Sequence, residues 1–184
     1  MATVAETVAA IAAATETKPG WVLHLARRLQ EAGILPTGSA SAPAAVHIEH
    51  VASLLLALLS GAQLKAAATA VHVYGDMRRC GVDVTIMPEA MRPPVTVARD
   101  YLEHVLHLFA AGSADDQRGL PQMQLEFVSN WPELTILFGK GEDPWRFVPA
   151  GELATHWRSG AIRKSTTITG AALREIVRRL NQTR

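Results

Sequence analysis

The chain holds a single cysteine, Cys80, in 184 residues. That excludes an internal disulfide and a cysteine-built zinc cage, and it suits a reducing cytoplasm. Long hydrophobic runs are absent too: the longest, Val51 to Leu59, is interrupted by Ser53 and is far too short to span a bilayer. The start, Met1-Ala2-Thr3-Val4-Ala5-Glu6-Thr7, lacks the basic opening of a signal peptide. Neither an internal repeat nor a low-complexity tract is visible. Neither charge sign dominates, since the formal net charge is +1, which by itself does not point to nucleic acid. What is present is a 48% hydrophobic composition, that of a folded chain. A cytoplasmic protein away from membranes is the expectation.

The charge is unevenly spread. From Trp157 onward Arg158, Arg163, Lys164, Arg174, Arg178, Arg179 and Arg184 face only Glu175, seven cations against one acid, so this stretch carries +6 and the rest −5. A basic tail on an acidic body suits phosphate contact. A solvated helix face, with Arg178 and Arg179 near the helix C-terminus, accounts for it equally well.

Apolar spacing predicts a helix from Thr3 to Ala14 carrying Val4, Val8 and Ile11 on one face. Thr15 to Lys18 is a turn, Thr17 is the expected cap, and Pro19 is tolerated in the first turn of a second helix. Trp21, Leu25, Arg28 and Leu29 follow at helical spacing, and Gly33 stops the helix before Ile34-Leu35-Pro36. The small, polar stretch from Thr37 to Pro43 reads as a connector or a short wing. Further helices are expected from His47 to Ser60, from Gln63 to Arg79, and from a Thr96 cap to Ala111, the last two separated by a looped stretch through Pro88, Pro93 and Pro94.

After Gly112 the pattern changes. Ser113 to Gly119 reads as a polar linker, and beyond it Met123, Leu125 and Phe127 alternate with Gln122, Gln124 and Glu126. Strands are expected there, at Leu134 to Phe138, at Trp145 to Val148 and at Ser165 to Thr169, before a closing helix from Ala171 to Leu180. The fold class is therefore α+β: a mainly helical N-terminal part, then a small antiparallel sheet with a C-terminal helix. Three regions are expected: a helix-turn-helix module over 1–45, a helical core or assembly region over 46–112, and the sheet with its basic helix over 120–184.

Catalytic chemistry is hard to find. Gly139-Lys140-Gly141 lacks the earlier glycine, the following Ser or Thr and the helix of a phosphate loop, so it reads as a hairpin turn. His47 with His50, and His104 with His107, have the spacing of half a metal site on one helix face, but no cysteine or acidic cluster completes either. No serine sits in a glycine-flanked elbow, Cys80 has no nearby histidine, and Asp115-Asp116 is linker-like. The expectation is no enzyme, no cofactor and no metal.

A small apolar helix, a polar turn and a helix with an arginine pair outline a helix-turn-helix, and its partner would be duplex DNA. Lys18, His24, Arg27, Arg28 and Gln30 are the candidate contacts on the second helix. Arg27 offers a bidentate fork to guanine, Gln30 one to adenine, and Lys18 a point charge to phosphate. Arg174, Arg178 and Arg179 are candidates in the tail. The plainer alternative is a helical pair whose arginines bond Glu31 or water.

The run from Ala26 to Gly38 resembles the DNA-reading segment of phage and prophage helix-turn-helix proteins, and the Leu54 to Leu59 helix is similar to the one that follows it there. The chain's layout also resembles terminase small subunits. That resemblance implies a homo-oligomeric ring that binds a viral packaging site and recruits a terminase large subunit. The basic helix at Arg174 to Arg179 has no counterpart in it. A prophage or bacterial transcriptional regulator, and a non-enzymatic virion or assembly module, are the alternatives.

Overall fold

The structure, a computed structural model, describes residues 2–39, 42–84, 87–91, 95–139, 142–152 and 162–182. Expectations involving Lys140, Gly141, Pro93, Pro94, Trp157, Arg158 and Arg184 lie outside these residues.

The chain opens with a two-residue strand β1 (Ala2–Thr3) and helix α1 (Val4–Ala14). Thr3 caps α1 in a reciprocal box: its hydroxyl accepts from the Glu6 amide at 3.2 Å, and the Glu6 carboxylate accepts from the Thr3 amide at 2.7 Å. Helix α2 (Pro19–Glu31) follows, with Pro19 in its first turn as expected. Thr17 does not cap it. Its hydroxyl is engaged with Thr15, and Lys18 takes the cap position without a side-chain bond.

The buried stripe of α2 is also shifted from the sequence reading. It consists of Val22, Leu25, Ala26 and Leu29, whereas Trp21 stands 40% exposed. The spacing of three, one and three residues among the buried four keeps them on a single face, and Trp21 lies a turn's edge away from its centre. Gly33, at φ +71°, then reverses the chain, and Leu35 is buried as expected. Reciprocal backbone bonds between Ser39 and Ala42 close a tight tip before strand β2 (Ala45–Val46), which pairs antiparallel with β1.

Helix α3 (Ile48–Leu59) is buried from Val51 through Ala57 and at Leu59. A single turn of tighter helix at Leu64–Ala66 leads into α4 (Ala67–Gly75). This helix ends four residues before the expected Arg79. At Gly75 the Arg99 side chain crosses so closely that a Cβ would stand 2.7 Å from its guanidinium. Arg78–Arg79 instead form strand β3. Helix α5 (Ala98–Ala111) is capped at Val97, not at Thr96, and no side chain bonds its cap.

The expected linker after α5 is tied down, because the Gln117 amide donates to the carbonyls of Leu108 and Gly112, both at 3.0 Å. Strands β4 (Gln124–Val128), β5 (Glu133–Leu137), β6 (Trp145–Val148) and β7 (Ser165–Thr169) join β3 in one antiparallel sheet, ordered β3-β6-β5-β4-β7. Helix α6 (Gly170–Gln182) closes the chain. Gly170 is required by close approach, since a Cβ would stand 1.7 Å from the Leu120 carbonyl oxygen. The fold is α+β, with the antiparallel sheet and C-terminal helix that the sequence predicts.

Leu125, Phe127, Leu134, Ile136, Phe147 and Ile168 form the inner face of the sheet. They belong to one apolar cluster that runs from Val8 in α1, through α2 to α5, to Val177 in α6. All three regions named from the sequence contribute to it.

The opposite face carries a buried ionic network. Glu133 is wholly buried and accepts from Arg146 at 2.9 Å, Arg163 at 3.2 Å and the Thr135 hydroxyl at 3.0 Å. Arg163 also forks onto Glu126 at 3.1 and 2.9 Å. Removing the central carboxylate deletes the Arg146 bond to it and leaves Arg163 with Glu126. Glu133→Ala should therefore lower stability by about 3 kcal/mol, read as a lower urea midpoint at unchanged m-value.

The Arg163 fork, more than any other influence, holds the Glu126 carboxyl below its ordinary value of 4.5, against the opposing effect of burial. Its stabilisation is complete above that value and is lost as pH falls through the lowered folded value. Glu126→Gln should thus fall short of the native chain by a constant margin above pH 4.5 and by a shrinking one below, as measured by urea titrations along a pH series.

Candidate nucleic-acid interface

The outer face of α2 follows from its stripe. With Val22, Leu25, Ala26 and Leu29 turned inward, His24, Arg27 and Glu31 lie opposite, and Trp21 and Arg28 flank them. Lys18 is exposed at the N-terminal end. These side chains reach solvent because the helix is anchored on one side by the core and on the other by nothing described.

Among the candidates, the structure separates free cations from engaged ones. Arg28 donates to Glu31 at 2.7 Å, one turn along, so its charge is locally answered. The Gln30 amide donates to the Pro36 carbonyl at 2.9 Å and fixes the exit of the helix. Its expected fork to adenine would require breaking that bond. The side chains of Lys18, His24 and Arg27 make no hydrogen bond or ion pair among the described residues.

The tail candidates sit on a second surface. Leu173, Ile176 and Val177 bury one face of α6 against α1 and α5, and Arg174, Arg178 and Arg179 are exposed. Arg178 and Arg179 are ordered within the helix instead of frayed beyond it. Both close on Glu175: Arg178 at 2.6 Å through two nitrogens, Arg179 at 2.7 Å. The Arg178 bond, followed by that of Arg179, holds the Glu175 carboxyl down to about 2. Arg174 and Arg178 border a groove with Phe109, Asn181 and Gln182 that no α2 residue lines. The two cation sets are thus not brought together.

The histidine pairs resolve into unlike roles. The His47 amide donates to Nδ1 of His50 at 3.0 Å, so that pair closes the start of α3. His104 and His107 border different cavities on either side of α5. Among the described residues no group of three or more His, Cys, Asp or Glu side chains is placed to hold a metal. No helix among them is long and apolar enough to cross a membrane.

Sequence reasoning missed Trp21 as an exposed aromatic and Arg79 as a cation stacked 3.9 Å over Trp145. The first was legible in principle, since Val22 completes a better stripe than Trp21. The second depends on β3 pairing with β6, which no local signal announces. Comparison of the chain with protein-family models, with curated proteins and with solved structures gave no significant match.

Proposed function

We propose that this protein binds duplex DNA through α2, as a binding protein and not a catalyst. The observation that carries the reading is Arg27: exposed, opposite the buried stripe, and free of any carboxylate partner among the described residues. A long cation held on a rigid helix with no internal counter-charge is what a groove-reading helix needs. Lys18 and His24 extend the same surface toward a phosphate backbone. Strand β2 supports it further, because it follows α2 where a wing would, paired with β1 from ahead of α1.

Two settings fit such a module. One is a terminase small subunit, a ring of many copies that binds a packaging site and recruits a large subunit. The other is a cytoplasmic prophage or bacterial regulator acting as a dimer. Light scattering separates them by size. The 40% exposed Trp21 beside Arg28 favours a second reading, in which α2 docks on protein within an assembly.

The decisive assay uses a duplex enriched from a random pool and an unrelated duplex of equal length. Arg27→Ala should weaken the enriched duplex over the unrelated one by about 1–3 kcal/mol, the scale of a bidentate base contact. Equal loss on both would make Arg27 a backbone contact. Failure of the native chain to bind any duplex at low salt would favour the docking reading.

The tail supplies an independent expectation. Glu175→Gln releases Arg178 and Arg179 from their shared carboxylate. If α6 touches phosphate, affinity for every duplex should rise alike, and the slope of log K against log salt should steepen by about 1. Unchanged affinity and slope would remove α6 from the interface.

A further inference from the structure

A cavity of about 340 Å³ opens between α5 and the β3–β6 edge of the sheet. Its size falls within the roughly 300–1,000 Å³ of small-ligand sites. The walls are apolar and aromatic: Tyr101, Val105, Leu108, Leu120, Trp145 and Phe147. Tyr101 offers the cavity a ring and no spare hydroxyl, since its OH is directed at the Met123 sulfur at 3.7 Å. Burial also pushes that phenol up to about 12, so it stays neutral.

Arg79 brings a full charge to this cavity. The Arg79 guanidinium lies 3.9 Å over the Trp145 ring and is held there by the ring's negative face. It forms no ion pair among the described residues, whereas its neighbour Arg78 is answered by Asp83 at 3.5 Å. Besides Arg79, the described lining has the polar side chains of Thr96 and His104 and the polar ends of Tyr101 and Trp145, and no carboxylate is among the described residues that line it.

We propose that this cavity binds a small aromatic monocarboxylate, its ring against Tyr101, Trp145 and Phe147 and its carboxylate on Arg79. The chemistry discriminates among ligand classes. A cation would meet Arg79 with no acid to offset it. A neutral apolar molecule would fill the cavity but leave the guanidinium unanswered. A phosphate dianion would find a single guanidinium where clusters of cations are the rule. A monoanion with a flat apolar body answers both the walls and the charge. Nothing in this argument depends on α2 or on DNA.

The test uses the full chain without DNA and two probes of equal shape, 2-naphthoate and its uncharged amide, 2-naphthamide. Binding is followed by isothermal titration calorimetry and by tryptophan fluorescence. The naphthoate should bind saturably, and the amide roughly tenfold or more weakly, the scale of one hydrogen bond to a charged group. Arg79→Gln, an exposed position, should bring the naphthoate down to the level of the amide while the thermal midpoint stays in place. Absence of saturable naphthoate binding at millimolar concentration would overturn the proposal. So would equal affinity for the two probes, or discrimination that survives Arg79→Gln. Any of these outcomes leaves the α2 reading untouched.

Discussion

Helix α3 has no polar side for most of its length, and the rest of the molecule is arranged around that fact. From Val51 to Ala57 each residue is buried, Ser53 included, because its hydroxyl bonds back to the Glu49 carbonyl and so needs no water. A helix apolar all round can be stable only when other elements enclose it. Helices α2, α4 and α5 pack on it, and β7 reaches its flank. Helix α2 is therefore part of the wall of this enclosure. The face that the wall leaves outside carries Arg27 and His24, while Val22 and Leu29 are turned into the core.

The sheet meets the opposite demand. Its inner face closes the apolar cluster, but its other face buries a carboxylate. Two guanidiniums and a hydroxyl answer Oε1 of Glu133, whereas its buried Oε2 has no hydrogen-bond partner among the described residues, and Arg163 is itself shared with Glu126. Such a network adds little net stability over an apolar replacement, yet removing one member is costly. It also fixes which arginine can do what. Arg163 is one of the cations in the tail but is committed to the sheet, so the +6 of the tail overstates what a phosphate could meet.

Much of the architecture was legible because it rests on local periodicity. Met123, Leu125 and Phe127 alternate, and all three are buried. Gly33 and Gly61 stop helices where their spacing ends, both in the left-handed region. The failures came where tertiary contact overrode a local pattern. Arg78 and Arg79 continue a helical run in sequence, but Arg99 packing over Gly75 and the pull of β6 turn them into a strand. Glu133 reads as a turn residue after Pro132, and only its arginines, thirteen and thirty residues away, make its burial possible. For the candidate interface, sequence named the exposed polar groups of α2 but could not say which of them were already spoken for. Arg28 and Gln30 are engaged within the chain, and that depends on where Glu31 and Pro36 come to lie.

Charge availability, more than charge content, separates the surfaces of this protein. Arg28, Arg78, Arg118, Arg146, Arg163, Arg178 and Arg179 each have a carboxylate within 3.5 Å. Arg27 and Arg79 do not have one among the described residues, and they differ sharply in setting. Arg27 projects from the outer face of a helix, a geometry suited to an extended anionic surface such as a duplex. Arg79 lies flat on an indole at the mouth of an apolar cavity, a geometry suited to a single anionic group on a compact body. The same side chain, uncompensated at both positions, thus stands in two unlike settings, an outer helix face and the mouth of an apolar cavity. An arginine already paired with a carboxylate must first lose that partner to serve either.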